Sequence, residues 1–249
     1  MFKGILRSIG IGGASVETVL HASEAVPGGE IAGEIRISGG DHKQDIRGVV
    51  LEIVTRARVE TRGDDKVYAE INLGEAKLQP GRVEAGSKVN LPFRIRLPAS
   101  CPITIGTTST VLKTRLDVTG AIDPRDADAI RVLPTHAMNA VFDGLERAGF
   151  HLVETEVEYN PRRSNPFVQE FDFRPVGRGD WDIEEVEISF DPVPGGIDVL
   201  LTVDNRGGFF VPGHERTGRF RVLDAQADRF DLATELRQTI NSLRRAGRF

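Results

Sequence analysis

A strict alternation of apolar and polar residues, interrupted by prolines, fixes most of what this chain can become. Val89, Leu91, Phe93, Ile95 and Leu97 are separated by Asn90, Pro92, Arg94 and Arg96. Successive side chains of an extended strand point to opposite faces, so this run has one apolar face and one wet face. Pro98 and Pro102 break the period. It resumes with Leu112, Thr114, Leu116 and Val118 inward and Lys113, Arg115, Asp117 and Thr119 outward. The stretch from Val83 to Asp123 therefore predicts two half-buried strands joined by a proline-marked crossing.

The same period recurs upstream. Val16, Thr18 and Leu20 begin a first strand, and Val26-Pro27-Gly28-Gly29 supplies a turn. Ile31, Gly33, Ile35 and Ile37 give a second inward face, Val49, Leu51, Ile53, Thr55 and Ala57 a third, and Val67, Ala69, Ile71 and Leu73 a fourth. Strands separated by turns, without helices between them, predict an antiparallel β-sandwich rather than a parallel sheet. The 27 glycines and 13 prolines in 249 residues suit many short strands, and 39% apolar with 28% charged residues excludes a disordered chain. A net charge of -5 without a basic stripe argues against a nucleic-acid partner. With Cys101 alone there is no intrachain disulfide framework, and a cytoplasmic location is expected. Placed before Pro102, that thiol reads as a small buried filler rather than a nucleophile.

At the N-terminus, Phe2, Ile5, Leu6 and Ile9 share a helical face flanked by Lys3 and Arg7. The segment is too short for a signal peptide or a spanning helix. It predicts a short helix, either capping the sandwich or making weak membrane contact through residues 1–11.

Asp123-Pro124-Arg125-Asp126-Ala127-Asp128 reads as a polar connector, and the domain boundary is placed just beyond it, giving domains over 1–130 and 131–249. Thr135 is suited to cap a helix carrying Met138, Val141, Phe142, Leu145 and Ala148 on one face, with Gly149 as its stop. Strands then resume: Val153, Thr155, Val157 and Tyr159; Pro166 to Pro175; Val186, Ile188 and Phe190; Ile197, Val199, Leu201 and Val203. Gly207-Gly208-Phe209-Phe210 reads as a hinged loop, and Arg219 to Leu223 as a last strand. A C-terminal amphipathic helix is expected over 224–246, with Phe230, Ala233, Leu236, Ile240 and Leu243 at steps of three and four. Two readings of it stand: docking on its own domain, or a surface for a homodimer or another partner.

Catalytic chemistry leaves little trace. His21, His42, His136, His151 and His214 are dispersed, with no pair at metal-ligand spacing on a helix. There is no nucleophile elbow or phosphate loop, and Gly10-Ile11-Gly12-Gly13 precedes a strand instead of linking a strand to a helix. Asp123, Asp126 and Asp128 could gather a hard cation, yet they lack the glycine and distal glutamate of a calcium loop. No catalytic residue, cofactor or metal is therefore assigned, and the chain is expected not to be an enzyme. Outward charges are the better candidates: Arg94, Arg96, Lys113, Arg115 and Asp117 are read as interdomain or partner contacts, with Arg115 and Asp117 as a potential clasp on domain orientation.

VPGGEIAGEIRI, DIRGVVLEIVTRARV and AGSKVNLPFRIRLPASCPITI resemble, in order, the strands of an arrestin-like N-terminal sandwich. LRSIGIGGASVETVL, LDVTGAID and PFVQEFDFRP are similar to segments of the bacterial sporulation-control protein M family, so the resemblance covers roughly residues 4–204. It implies two arrestin-like antiparallel β-sandwich domains in tandem and a non-enzymatic cytoplasmic regulator that binds protein partners in developmental or cell-cycle progression. A peripheral membrane protein, or a small-ligand or metal-binding module using an interdomain groove, is the alternative.

Overall fold

The computed structural model describes residues 13–59, 67–119, 123–162, 166–177, 181, 183–205, 214–227 and 231–245. The expected N-terminal helix over residues 1–11, the Gly207 to Phe210 loop and Phe230 lie outside them. The protein is mostly β. Its chain divides into two compact units, one of Met1–Ala57, Val67–Thr104 and Thr108–Leu133, the other of Arg58–Lys66, Ile105–Thr107 and Pro134–Phe249.

In the first unit, β1 (Ser15–Leu20), β3 (Glu30–Ser38) and β7 (Lys88–Arg96) form an antiparallel sheet in the order β1-β3-β7. A second sheet is built on β4 (Gln44–Val59), β8 (Thr110–Val118) and β9 (Arg125–Val132), with β8 antiparallel to both neighbours. β2 (Glu24–Ala25) lies parallel to β9, while β5 (Val67–Leu78) and β6 (Arg82–Val83) pair with β4. Alternation explains the core between the sheets: Ile31, Ile35 and Ile37, with Phe93 and Ile95, are buried from one side, and Val49, Leu51, Ile53, Leu112 and Leu116 from the other. Gly33 faces Phe93 across β3 and β7, and a Cβ there would lie 2.4 Å from the Val19 carbonyl oxygen and 2.9 Å from Phe93 Cε1. Only glycine lets the ring and the β1 backbone approach this closely. Pro92 is tolerated because β7 is an edge strand, where a missing N–H leaves no ladder bond unmade.

A buried polar tie joins the two sheets. Thr18 Oγ1 is 2.6 Å from Thr114 Oγ1, and the Thr18 N–H donates to Asp126 Oδ2 at 2.6 Å. Asp126 thus satisfies a backbone donor on the open edge of β1, which would otherwise be buried without a partner. The segment from Asp123 to Asp128 is therefore not a connector as its composition suggests: β9 starts at Arg125, because pairing with β8 and this tie outweigh the low strand propensity of aspartate. Val67 is a second departure. It is 42% exposed at the start of β5, and of that expected inward face only Leu73 is fully buried. Cys101 is the filler expected, 2% exposed, and burial pushes its thiol up to about 12.

The second unit is an antiparallel meander of β10 (Phe150–Tyr159), β11 (Phe167–Pro175), β12 (Glu185–Val193), β13 (Gly196–Asn205) and β14 (His214–Leu223). Arg58 and Val59, the end of β4, pair in parallel with Glu158 and Tyr159. Helices α1 (His136–Arg147) and α2 (Leu232–Arg245) pack on the apolar face of this sheet and on each other. The Thr135 side chain accepts the Met138 N–H at 3.3 Å, and Gly149, at φ +92°, ends the α1 segment in a conformation that favours glycine. Phe142 of α1 stacks edge-on against Phe171 at 5.1 Å and Phe190 at 5.6 Å between ring centres.

Two expectations in this unit are corrected. Val153 is 40% exposed because a bulge between Leu152 and Glu154 shifts the inward register to Thr155 and Val157. The C-terminal helix starts at Leu232, not 224. Asp231 terminates it by accepting from Thr234 Oγ1 at 2.6 Å and, through its backbone carbonyl, from the Thr234 N–H at 3.0 Å, while Asp224–Gln226 forms a separate 3-10 turn. Among the described residues, no helix is long and apolar enough to cross a membrane.

Candidate functional site

The residues singled out by their outward charge lie on two faces of the first unit. On β7, Arg94 Nη1 donates to Glu30 Oε1 at 2.7 Å and Arg96 Nε to the Gly28 carbonyl at 3.0 Å. Both are exposed; the first joins neighbouring strands, and the second ties β7 to the turn that precedes β3.

The richer arrangement is on the outer face of β4, β8 and β9. Register places Lys113 between Glu52 and Ala127, and Arg115 between Val50 and Arg125. Lys113 Nζ donates to both carboxylate oxygens of Glu70 on β5, each at 2.6 Å. Arg115 Nη1 donates to Asp123 Oδ2 at 3.0 Å, and Asp123 Oδ1 accepts the Val118 N–H at 3.1 Å. That backbone bond, with the Arg115 guanidinium, holds the Asp123 carboxyl below its usual range. Asp123 also lies between Arg115 and Arg125, which stand directly opposite one another and would repel without it. Asp117 pairs with Arg47, whose Nη2 is 2.6 Å away. Arg115 and Asp117, read from the sequence as members of one clasp, thus each have a separate partner inside the first unit.

A hollow of about 430 Å³ opens on this face, lined by Glu52, Glu70, Lys113, Arg115, Arg125 and Asp126 among others. Both charge signs face it, which suits polar recognition. Exposed ion pairs of this kind contribute about 0–1 kcal/mol each, so their groups exchange partners at little energetic penalty. Glu70, Asp123, Arg125 and Arg47 complete the arrangement; sequence reasoning singled out Asp123 only as a possible cation ligand and missed the other three. The β8–β9 register that brings Arg125 to Arg115 becomes legible only once 123–128 is recognised as a turn leading into a strand.

The remaining candidates fall elsewhere. Of the tail-helix residues, Leu236 and Ile240 are buried within the second unit, Ala233 and Leu243 are half-buried, and Leu243 Cδ1 would be 3.3 Å from a Cβ on Gly218 of β14. The three aspartates do not converge: Asp123 binds Arg115, Asp126 binds Thr18, and Asp128 neighbours Asp126 and Glu17. Among the described residues, no group of three or more His, Cys, Asp or Glu side chains is arranged to hold a metal ion.

Fold and face define a mostly β, two-unit protein whose recognisable surface chemistry is charged and sheet-borne. The chain belongs to the SpoOM protein family, whose pattern matches residues 2–207. It is 35% identical over 213 residues to the sporulation-control protein Spo0M of Bacillus subtilis (strain 168), covering 82% of this chain and 81% of that one. The crystal structure of Spo0M from Bacillus subtilis superposes with a TM-score of 0.82 at 29% identity, over 94% of this chain and 100% of that one.

Proposed function

We propose that this protein is a non-enzymatic regulatory scaffold in sporulation control or a related developmental programme, docking protein partners on the outer face of β4, β8 and β9. The observation that supports this reading is the hollow bordered by Glu52, Glu70, Lys113, Arg115 and Arg125, where exchangeable ion pairs of both signs line a solvent-facing sheet surface. Charges so arranged steer association and select partners more than they hold the fold. The family relationship supports the regulatory role, since the Bacillus subtilis relative is described as a sporulation-control protein.

The test is in-cell crosslinking of the wild-type chain and of a Lys113→Glu/Arg115→Glu variant, with thermal unfolding as the control for folding. The expected result is a defined set of crosslinked proteins that the folded variant loses. An unchanged set would remove this face from the interaction.

A further inference from the structure

The face of the second unit's sheet that points away from α1 and α2 is a grid of carboxylates assembled by cross-strand register. Glu154 of β10 pairs with Asp172 of β11, and Asp172 pairs with Glu187 of β12, so three acids stand side by side on successive strands. One row along, Glu156 pairs with Glu170. On the other side, Glu185 pairs with Asp204 and Asp204 with Glu215. Neighbouring strands are about 4.8 Å apart, and like charges directly opposite destabilise a sheet. Burial and the surrounding acids push Asp172 up to about 6 and Glu187 upward as well. Arginines meet the grid at its margins: Arg174 on Glu185 at 3.0 Å, Arg58 on Glu156 and Glu158, Arg219, opposite Leu200, on Asp191 at 3.0 Å, and Arg221 on Asp198 at 2.6 Å. Outward polar positions do not require acids: Thr202 and Thr217 continue the Glu154–Asp172–Glu187 row and bond each other at 3.1 Å. At neutral pH, where it is charged, the acidic row therefore opposes folding.

A second feature of the same face points to an incoming group. Ser189 stands between Glu170 and Leu200 in register, is 8% exposed, and its hydroxyl has no partner among the described residues. Beside it Leu200 is an apolar side chain 40% exposed on an otherwise polar surface. A hydroxyl that reaches solvent without a bond inside the chain, next to an uncovered leucine and a row of carboxylates, suits a side chain that is alkyl along its length and cationic at its tip.

We propose that this face docks a lysine- or arginine-rich segment of a partner protein, its cationic groups along the Glu154–Asp172–Glu187 row and its alkyl stems over Leu200 beside Ser189. The carboxylates are spread along a surface rather than converging on a point, which fits several cations carried on one chain better than a single metal ion. Guanidinium forks match carboxylates two bonds at a time. A nucleic acid or an anionic lipid surface would be repelled. The surface is distinct from the first-unit hollow, so either can fail without the other.

The test uses the full chain and a fluorescent alternating lysine–serine peptide of roughly twelve residues, an extended form able to follow a sheet face. Binding by anisotropy at about 0.15 M salt is expected to weaken at least about fivefold in Glu154→Gln/Asp172→Asn/Glu187→Gln. A control, Glu30→Gln/Glu75→Gln/Glu84→Gln, removes the same three charges from the first unit and should leave binding within about twofold. Equal weakening in both variants, or no binding to the wild-type chain, overturns the proposal. Hydrogen exchange on the wild-type protein gives an answer independent of either variant's folding: added peptide should protect amides of β11 to β13, and protection confined to the first unit would refute the assignment.

Discussion

Asp126 and Asp128 are two residues apart on β9 and face the same side, yet their surroundings treat them oppositely. Asp126 accepts the Thr18 N–H, whereas Asp128 Oδ2 is buried without a hydrogen-bond partner. Burial, then the charges of Asp126 and Glu17, push Asp128 up to about 6. The sign of its effect on stability follows. The folded state holds this proton at higher pH than the unfolded chain, so the contribution is present at acid pH and is lost as pH rises through about 6. Asp128→Asn should therefore stabilise the protein at pH 7, by about 1 kcal/mol once solvent screening of a half-buried group is discounted. Urea midpoints measured at several pH values should show that gain shrinking to nothing near pH 4, roughly the unfolded carboxyl range. A gain that does not change with pH would mean that packing, not charge, had been altered.

At the scale of elements, two junctions carry most of the sequence logic. On β7, Phe93 is buried against Gly33, and Phe93→Ala should cost about 3–5 kcal/mol by chemical denaturation. A loss below about 1 kcal/mol would contradict the β3–β7 register. Where α1 meets α2, a Cβ on Gly144 would lie 2.8 Å from Leu236 Cδ1 and 3.2 Å from Leu232 Cβ. The gain in helix propensity from Gly144→Ala, about 1 kcal/mol, is thus opposed by overpacking of about 1–3 kcal/mol. A net loss of thermal stability is expected, and Leu236→Ala in the same chain should recover part of the overpacking term. The sandwich strands and α1 were legible because each displays its period and its cap in a continuous run. Val153 was not, since a bulge leaves no mark in an alternating pattern, and neither was β9, since three aspartates imitate a loop. The charged hollow was half legible: Lys113 and Arg115 show as outward, but Glu70 and Arg125 join them through pairings with distant strands. The acidic grid had left a signal, Glu154-Glu156-Glu158, Glu170-Asp172 and Glu185-Glu187 at steps of two, which acquires meaning only when β10, β11 and β12 are placed side by side.

Across the whole molecule, the carboxyls with perturbed titration fall into two sets that act in opposite directions on acid stability. Asp128, Asp172 and Glu187 are raised, each chiefly by burial. Asp123, Asp198 and Asp231 are lowered, by the Val118 N–H, by Arg221 and by Thr234 respectively. The first set makes the fold less stable as pH rises from about 4, where the unfolded chain gives up its carboxyl protons, to about 6, where the folded state gives up those it has retained. The second set contributes stability above the unfolded carboxyl range of about 4, and that stability disappears as pH falls through the depressed folded values. Each set alone would push the optimum to one end of the scale, and together they confine it. Maximum stability should lie near pH 4, with a decline from about pH 4 to 6 that ordinary exposed carboxylates do not produce and a plateau above about pH 7. Denaturant midpoints across that range measure it directly. Asp172→Asn combined with Asp128→Asn should flatten the decline between about pH 4 and 6 while leaving the acid limb below it in place, because the groups that control the two limbs are different. If the double variant kept the wild-type slope between about pH 4 and 6, that limb would have to come from groups other than these acids.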